Sequence, residues 1–423
     1  MKHQQYPIPA ILTIVLSTLF FIGCSKSGTK PTPKDNGPTI TSLSVNTGPY
    51  NTSVVITGTE FSSTIANDQA FFNGKAAVLT AATATQLTVT VPLGAGTGNV
   101  TVSINNGILV SGPVFNYQLS DVVSTIAGNG TAGGDDGIGT AATFNSPWGI
   151  VIDLEGNIYV SDYLDGLIRK ITPVGAVLTS AGSVNTAPLF SNAAGVAVDD
   201  VADLFIADAS SVQEIANGSI VTVKVLYNKG NDITGVAWDD ALSYLYAADE
   251  ANNTIVKIVG GVASIFAGSG TAGKADGQGT SASFNGPVGI AIDQASRSLY
   301  VVDERSNLVR KITKDGAVTT IAGSGTAGKA DGKGALASFN NPTGIAVDGS
   351  GNLYIGDYGN NAIRKITPDG TVSTIAGNGV AGFADGPALN ASFNNPQDLV
   401  VDASGNIYVA DSGNNRIRKI SMQ

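Results

Sequence analysis

The sequence predicts an all-β protein: an immunoglobulin-like β-sandwich followed by a six-bladed β-propeller, both behind a secretory leader. Composition is the first sign. Of 423 residues, 53 are Gly, 16 are Pro and only 13% are charged, with Val, Ile and Thr in place of bulk helix formers. That mixture builds many short strands joined by tight turns. The second sign is repetition, because a pattern of the Gly-Ile-Ala-Val-Asp type occurs six times after residue 122. The third is an apolar run near the N-terminus that stops at a Gly-Cys pair.

Lys2 and His3 precede the apolar run from Ala10 to Ile22. The run is too short to cross a bilayer as a helix and fits the apolar core of a secretory signal. It ends Phe21-Ile22-Gly23-Cys24, which resembles the lipobox of bacterial lipoproteins, where the Cys is lipidated and becomes the first residue. Residues 1–23 are therefore expected to be a signal peptide, Cys24 the lipidation site, and the polar, Pro-containing stretch 24–37 a flexible tether. A lipid anchor implies a membrane partner and a place in the bacterial cell envelope. The outer membrane is the expected site, with the periplasmic or surface side left open.

Cys24 is the one Cys and His3 the one His, so cleavage leaves a chain without histidine. That excludes a disulfide framework, a Cys/His zinc site, a Ser-His-Asp triad and imidazole acid–base chemistry. A net charge of −10 and a pI near 4.5 argue against nucleic acid as a partner.

From 38 to 118 short alternating strands are separated by Gly, Pro and Asn, clearest at Val54–Gly58, Leu87–Val91 and Asn99–Ile104. This spacing suits an immunoglobulin-like sandwich. Pro38-Thr39-Ile40-Thr41-Ser42-Leu43, Gly48-Pro49, Ile56-Thr57-Gly58-Thr59-Glu60-Phe61, Phe72-Asn73-Gly74 and Val91-Pro92 together resemble the IPT/TIG family. The resemblance implies a spacer or interaction module and no catalytic residues.

The six repeats are Gly149–Asp153, Gly195–Asp199, Gly235–Asp239, Gly289–Asp293, Gly344–Asp348 and Asp398–Asp402, offset by 46, 40, 54, 55 and 54 residues. Each precedes a turn and further strands, giving four antiparallel strands per unit, which is the pattern of a propeller blade. The sixth unit stops after its third strand at Ile417–Ile420, while an orphan strand, Val123–Gly128, precedes the first unit. Placing that orphan in the last blade closes the ring and removes an open edge. Pro342–Asp348, Gly351–Asp357 and Asn360–Lys365 resemble NHL-repeat propellers of the bacterial and teneurin-like kind, and the resemblance runs over 122–423. Blades 2 and 3 depart from it, with Val212-Gln213-Glu214-Ile215 and Ile255-Val256-Lys257-Ile258 in place of Ile-Arg-Lys-Ile.

Asp162, Asp208, Asp249, Asp303, Asp357 and Asp411 recur at the end of the second strand, and Arg169/Lys170, Arg310/Lys311, Arg364/Lys365 and Arg418/Lys419 in the third. Charges repeated at equivalent positions read as ties between strands and turns, because a single ligand breaks symmetry. The Asp-Gly-x-Gly stretches at 276–279 and 331–334 raise calcium as an option. They lack the alternating oxygen ligands and closing Glu of an EF-hand loop, and read as glycine-rich turns. No cofactor is expected, with calcium on the propeller axis as the one alternative.

Symmetry breaks at four long insertions, 131–145, 271–285, 326–340 and 380–394, which share the form Ala-Gly-x-x-Asp-Gly…Ala-x-Phe-Asn. Phe144, Phe284, Phe339 and Phe393 are expected as buried plugs that anchor them. The insertions precede blades 1, 4, 5 and 6, neighbours in a closed ring, so they form one raised arc with a gap at blades 2 and 3. On that face the channel mouth is expected to carry Trp148, Val288, Thr343 and Gln397, with no inward Glu evident. Tyr163, Glu304, Arg305 and Tyr358 are expected farther out. An aromatic-containing concavity of this kind suits a glycan or a protein ligand. The function expected is non-catalytic binding by an anchored lipoprotein. The alternatives are a metal-dependent gluconolactonase-like hydrolase and a scaffold for an envelope complex.

Overall fold

The computed structural model describes residues 37–92, 94–104, 107–182, 189–216, 219–223 and 232–422. The expected leader, Cys24 and nearly all of the tether lie outside the described residues. The described chain contains strands and short 3-10 turns.

The N-terminal unit is a sandwich of two sheets. One pairs Thr39–Leu43, Ser53–Thr59, Gln86–Thr90 and Val78–Ala82; the other is built on Ile108–Tyr117, Gly98–Ile104 and Asp68–Phe72. Alternation along the strands turns Val54, Ile56, Leu87, Val89, Val100 and Val102 inward. Phe72 and Phe115 meet edge to face at 5.0 Å in this core. Gly58 is fixed by crowding, since a Cβ there would stand 2.1 Å from the Thr39 carbonyl and 2.4 Å from the Phe61 ring.

The rest is a closed ring of six blades, whose innermost strands neighbour one another in order and return from the sixth to the first. Closure follows the expected route: Asp121–Ala127 pairs with Arg416–Met422, with Val123 opposite Ile420, as the outer strand of blade 6. Among the described residues blades 2 and 3 have four strands each. The other four gain a two-residue fifth strand from the long insertion, at Gly137–Ile138, Gly277–Gln278, Gly332–Lys333 and Gly386–Pro387. The Asp-Gly stretches are thus strand edges as well as turns.

The recurring charges are buried architecture. Arg364 is walled in and donates to four acceptors: the Ser338 carbonyl (3.0 Å), Asp357 (2.6 Å), the Ala330 carbonyl (2.9 Å) and Asp331 (2.7 Å). Its guanidinium lies 5.2 Å from the Phe339 ring, which is itself fully buried as the plug of the insertion. Arg169, Arg310 and Arg418 repeat this arrangement over Phe144, Phe284 and Phe393. In all four the Nε–H is buried without a partner, so the clamp is satisfied at the fork and left open at its stem. The following Lys instead lies over a second-strand tyrosine, as Lys365 does over Tyr354 at 5.5 Å.

Candidate functional site

Each innermost strand carries a register shift where it enters the ring: at Pro147/Ile150, Ala193/Val196, Ile233/Gly235, Pro287/Ile290, Pro342/Ile345 and Pro396/Asp398. Such bulges re-aim side chains. Here they put Trp148, Thr234, Val288, Thr343 and Gln397 around one end of a central channel of about 210 Å³. Trp238 and Gln294 line the other end, and the walls between are aliphatic.

Of the residues expected at the site, Trp148, Thr343 and Gln397 meet in this channel, as does Val288. Thr343 and Gln397 are buried, and the Thr343 hydroxyl donates to the Gln397 carbonyl at 2.7 Å. They therefore shape the mouth more than they offer free polar groups. Trp148 is half-buried and its ring packs on Tyr163 at 4.8 Å and 35°. Tyr163 follows the second strand of blade 1 and does not line the channel, so the pair extends an aromatic surface outward from the mouth.

Glu304, Arg305 and Tyr358 begin the turns after the second strands of blades 4 and 5 and do not line the channel. Arg305 forms an ion pair with Glu250, and Glu304 accepts from the Asn341 amide at 3.3 Å. Burial raises the Glu250 carboxyl, Arg305 opposes the shift, and Glu304 and Asp232 add to it. Burial also raises the Tyr163 hydroxyl, with the Asp232 charge adding to the effect. One arginine thus stands among three carboxylates, and this part of the face is acidic.

Two channel residues escaped the sequence reading. Trp238 sits at the far end of the blade 3 innermost strand and stacks on Phe205 at 4.6 Å and 10°. It shares one strand with Thr234 but lies at the opposite end of it, which hid its place in the same channel. Asp398 replaces the glycine that opens the repeat in the other five blades. The departure was visible in the sequence; its depth was not. Its carboxylate lines the channel and accepts from the N–H groups of Leu399, Ile150 and Ile345, the Ile150 bond being 3.2 Å. Burial nevertheless pushes the carboxyl up to about 7. Among the described residues no group of three or more His, Cys, Asp or Glu side chains is placed to hold a metal ion.

The chain matches known families in three places: the IPT/TIG domain over 38–117, the Teneurin NHL domain over 121–331, and the NHL repeat over 339–366 and 393–420. Protein SUPPRESSOR OF QUENCHING 1, chloroplastic, from Arabidopsis thaliana is 27% identical over 312 residues, covering 70% of this chain and 27% of the relative. The chain spans 27% to 46% of the length of such curated relatives. A Bacteroides thetaiotaomicron protein of unknown function superposes with a TM-score of 0.62 at 25% identity, over 93% of this chain and 99% of that one. An auxiliary nutrient binding protein from the same organism superposes with a TM-score of 0.73 at 19% identity, over 92% and 98%. With these matches beside the observed sheets, the chain is an all-β protein in which an IPT/TIG domain is followed by NHL repeats.

Proposed function

We propose that this protein is a non-catalytic binding lipoprotein of the bacterial envelope, anchored through Cys24, whose propeller face recognises a glycan or protein. One observation carries the reading: the channel mouth, where the paired rings of Trp148 and Tyr163 break the ring's symmetry on the face of the four insertions. An aromatic surface beside a concavity walled by aliphatic side chains, with a few polar groups among them, is the usual form of a ligand site. The nutrient-binding description of a protein with this fold agrees with it. The repeated charges do not compete as a site, because their bonds hold the insertions.

The chain's 2 tryptophans both line the channel, so intrinsic fluorescence reports on the site directly. Titration with envelope oligosaccharides and peptides is expected to shift the emission saturably. In Trp148→Ala the affinity is expected to fall about tenfold or more while the melting curve stays near the parent's. Binding that leaves both tryptophans unmoved contradicts the site, and turnover of a lactone or ester that a chelator abolishes supports the hydrolase instead. Cys24→Ser is expected to abolish incorporation of labelled palmitate; labelling that survives the change removes the anchor.

A further inference from the structure

Five innermost strands carry glycine where they pass closest to the next blade: Gly149, Gly195, Gly235, Gly289 and Gly344. A Cβ at these positions would stand 2.4, 2.7, 2.2, 2.2 and 2.5 Å from the backbone of the next blade. Close approach therefore demands glycine, and the ring closes with it five times. The sixth position holds Asp398, a charge placed where architecture asks for none.

The bonds around Asp398 are unevenly filled. An ionised carboxylate offers about four acceptor positions. Three are met by backbone N–H groups from blades 6, 1 and 5, which leaves one open on a residue that lines the channel. Among the described residues no cationic side chain answers it, and Asp398 is the one charged residue of those that line the channel. A carboxylate that lines a confined channel without a cationic partner favours a ligand that supplies one. The side chains of the wall between, with Ile150, Val196 and Ile290, are aliphatic, and a tryptophan lines each end.

We infer that the central channel is a binding site for a small organic cation, an ammonium-bearing molecule with a short apolar body, held by the Asp398 carboxylate. This rests on the binding reading above and specifies its ligand. The aliphatic wall suits methylene groups, and tryptophan rings at the ends are side chains to which a cation is attracted. A hard metal ion is a poor match, because it wants several converging oxygen ligands and finds one carboxylate. Since burial lifts the Asp398 carboxyl to about 7, the ion pair strengthens as pH rises through neutrality. Among the described residues no other titratable side chain lines the channel to blur that dependence.

The test is calorimetric titration of the full chain with n-butylammonium chloride at pH 6 and pH 8.5, with 1-butanol and calcium chloride as controls. Butylammonium is expected to bind with a Kd of about 1 mM or tighter. It should bind about tenfold more tightly at pH 8.5 than at pH 6, following the ionised fraction of one carboxyl. Asp398→Asn and Asp398→Gly are each expected to weaken it at least tenfold, with melting curves confirming that both fold. Butylammonium no better than 1-butanol, saturation by calcium alone, or indifference to both substitutions overturns the proposal. Should neither variant fold, pH-independent binding to the parent overturns it. Oligosaccharide or peptide binding that needs Trp148 but survives Asp398→Asn, with no butylammonium binding, removes the channel site and leaves the binding reading standing. Absence of any ligand at the Trp148 mouth removes that reading itself.

Discussion

Blades 1, 4, 5 and 6 differ from blades 2 and 3 in a way that separates two kinds of charge. In every blade the aspartate at the end of the second strand accepts an N–H from the residue leading into the first strand. Asn145, Asn192, Asn285, Asn340 and Asn394 donate at 2.6–2.8 Å, and Asp232 at 3.5 Å. The arginine clamp is present only where an insertion is present. In blade 2 Gln213 stands opposite Ile206, where blade 1 sets Arg169 opposite Val160, and in blade 3 the place is taken by Val256. The aspartate thus belongs to the blade and the arginine to its insertion. Where the insertion goes, the arginine loses its carbonyl acceptors and goes with it.

The largest effect that would break this comparison is loss of a clamp. Arg364→Met strands Asp357 as a buried charge and frees the Ser338 and Ala330 carbonyls, so unfolding should become easier by about 3–5 kcal/mol. Gln213→Ala at the matching place in blade 2 should change stability by less than about 1 kcal/mol. Chemical denaturation of the two variants checks the pair. Equal losses would mean that the arginine supports the blade and not the insertion.

A smaller effect sharpens the comparison at acid pH. The insertion carboxylates Asp276 and Asp331 are partly buried, which raises them. Bonds from Thr320 and Arg310, and from Thr374 and Arg364, outweigh this and hold them below the usual range. A lowered acid stabilises the fold above its ordinary pKa of about 4 and loses that contribution as pH falls through its own. Hydrogen exchange between pH 4 and pH 2.5 should therefore show insertions 271–285 and 326–340 losing protection before the strands of blades 2 and 3. The reverse order would contradict the clamp.

How much of this was legible follows from what repeats. The six units, the closing strand and the plugs could be read because Gly-Ile-Ala-Val-Asp, Val123–Gly128 and the Ala-x-Phe-Asn endings are local patterns with one physical use each. The fifth strands were missed because Gly137–Ile138 and its counterparts are two residues long and paired by position, not by composition. At the site, Trp148, Thr343 and Gln397 line the channel, the position that propeller geometry gives to residues between the Pro and the Gly, or Asp398, of the first strands. Glu304 and Arg305 turned out to be engaged with Asn341 and Glu250, partners distant in sequence that no repeat links. Asp398 shows the same limit from the other side. The exchange of Gly for Asp is plain in the sequence, but the crowding that makes it exceptional exists only once six strands converge.

The central claim is that repeated charges build the propeller while the single charge on its axis serves a ligand. Thermal melting of Arg364→Met and Asp398→Asn at pH 8, beside the parent, tests it most directly. An acid whose folded pKa is raised favours its neutral form, so ionised Asp398 weighs against the fold from about pH 4 upward and fully above about 7. A neutral Asn should therefore melt no more than about 2 °C below the parent, whereas Arg364→Met should melt at least about 5 °C below it. An Asp398→Asn protein that melts as low as Arg364→Met would show the axial carboxylate to be a keystone of the ring, and the claim would fail.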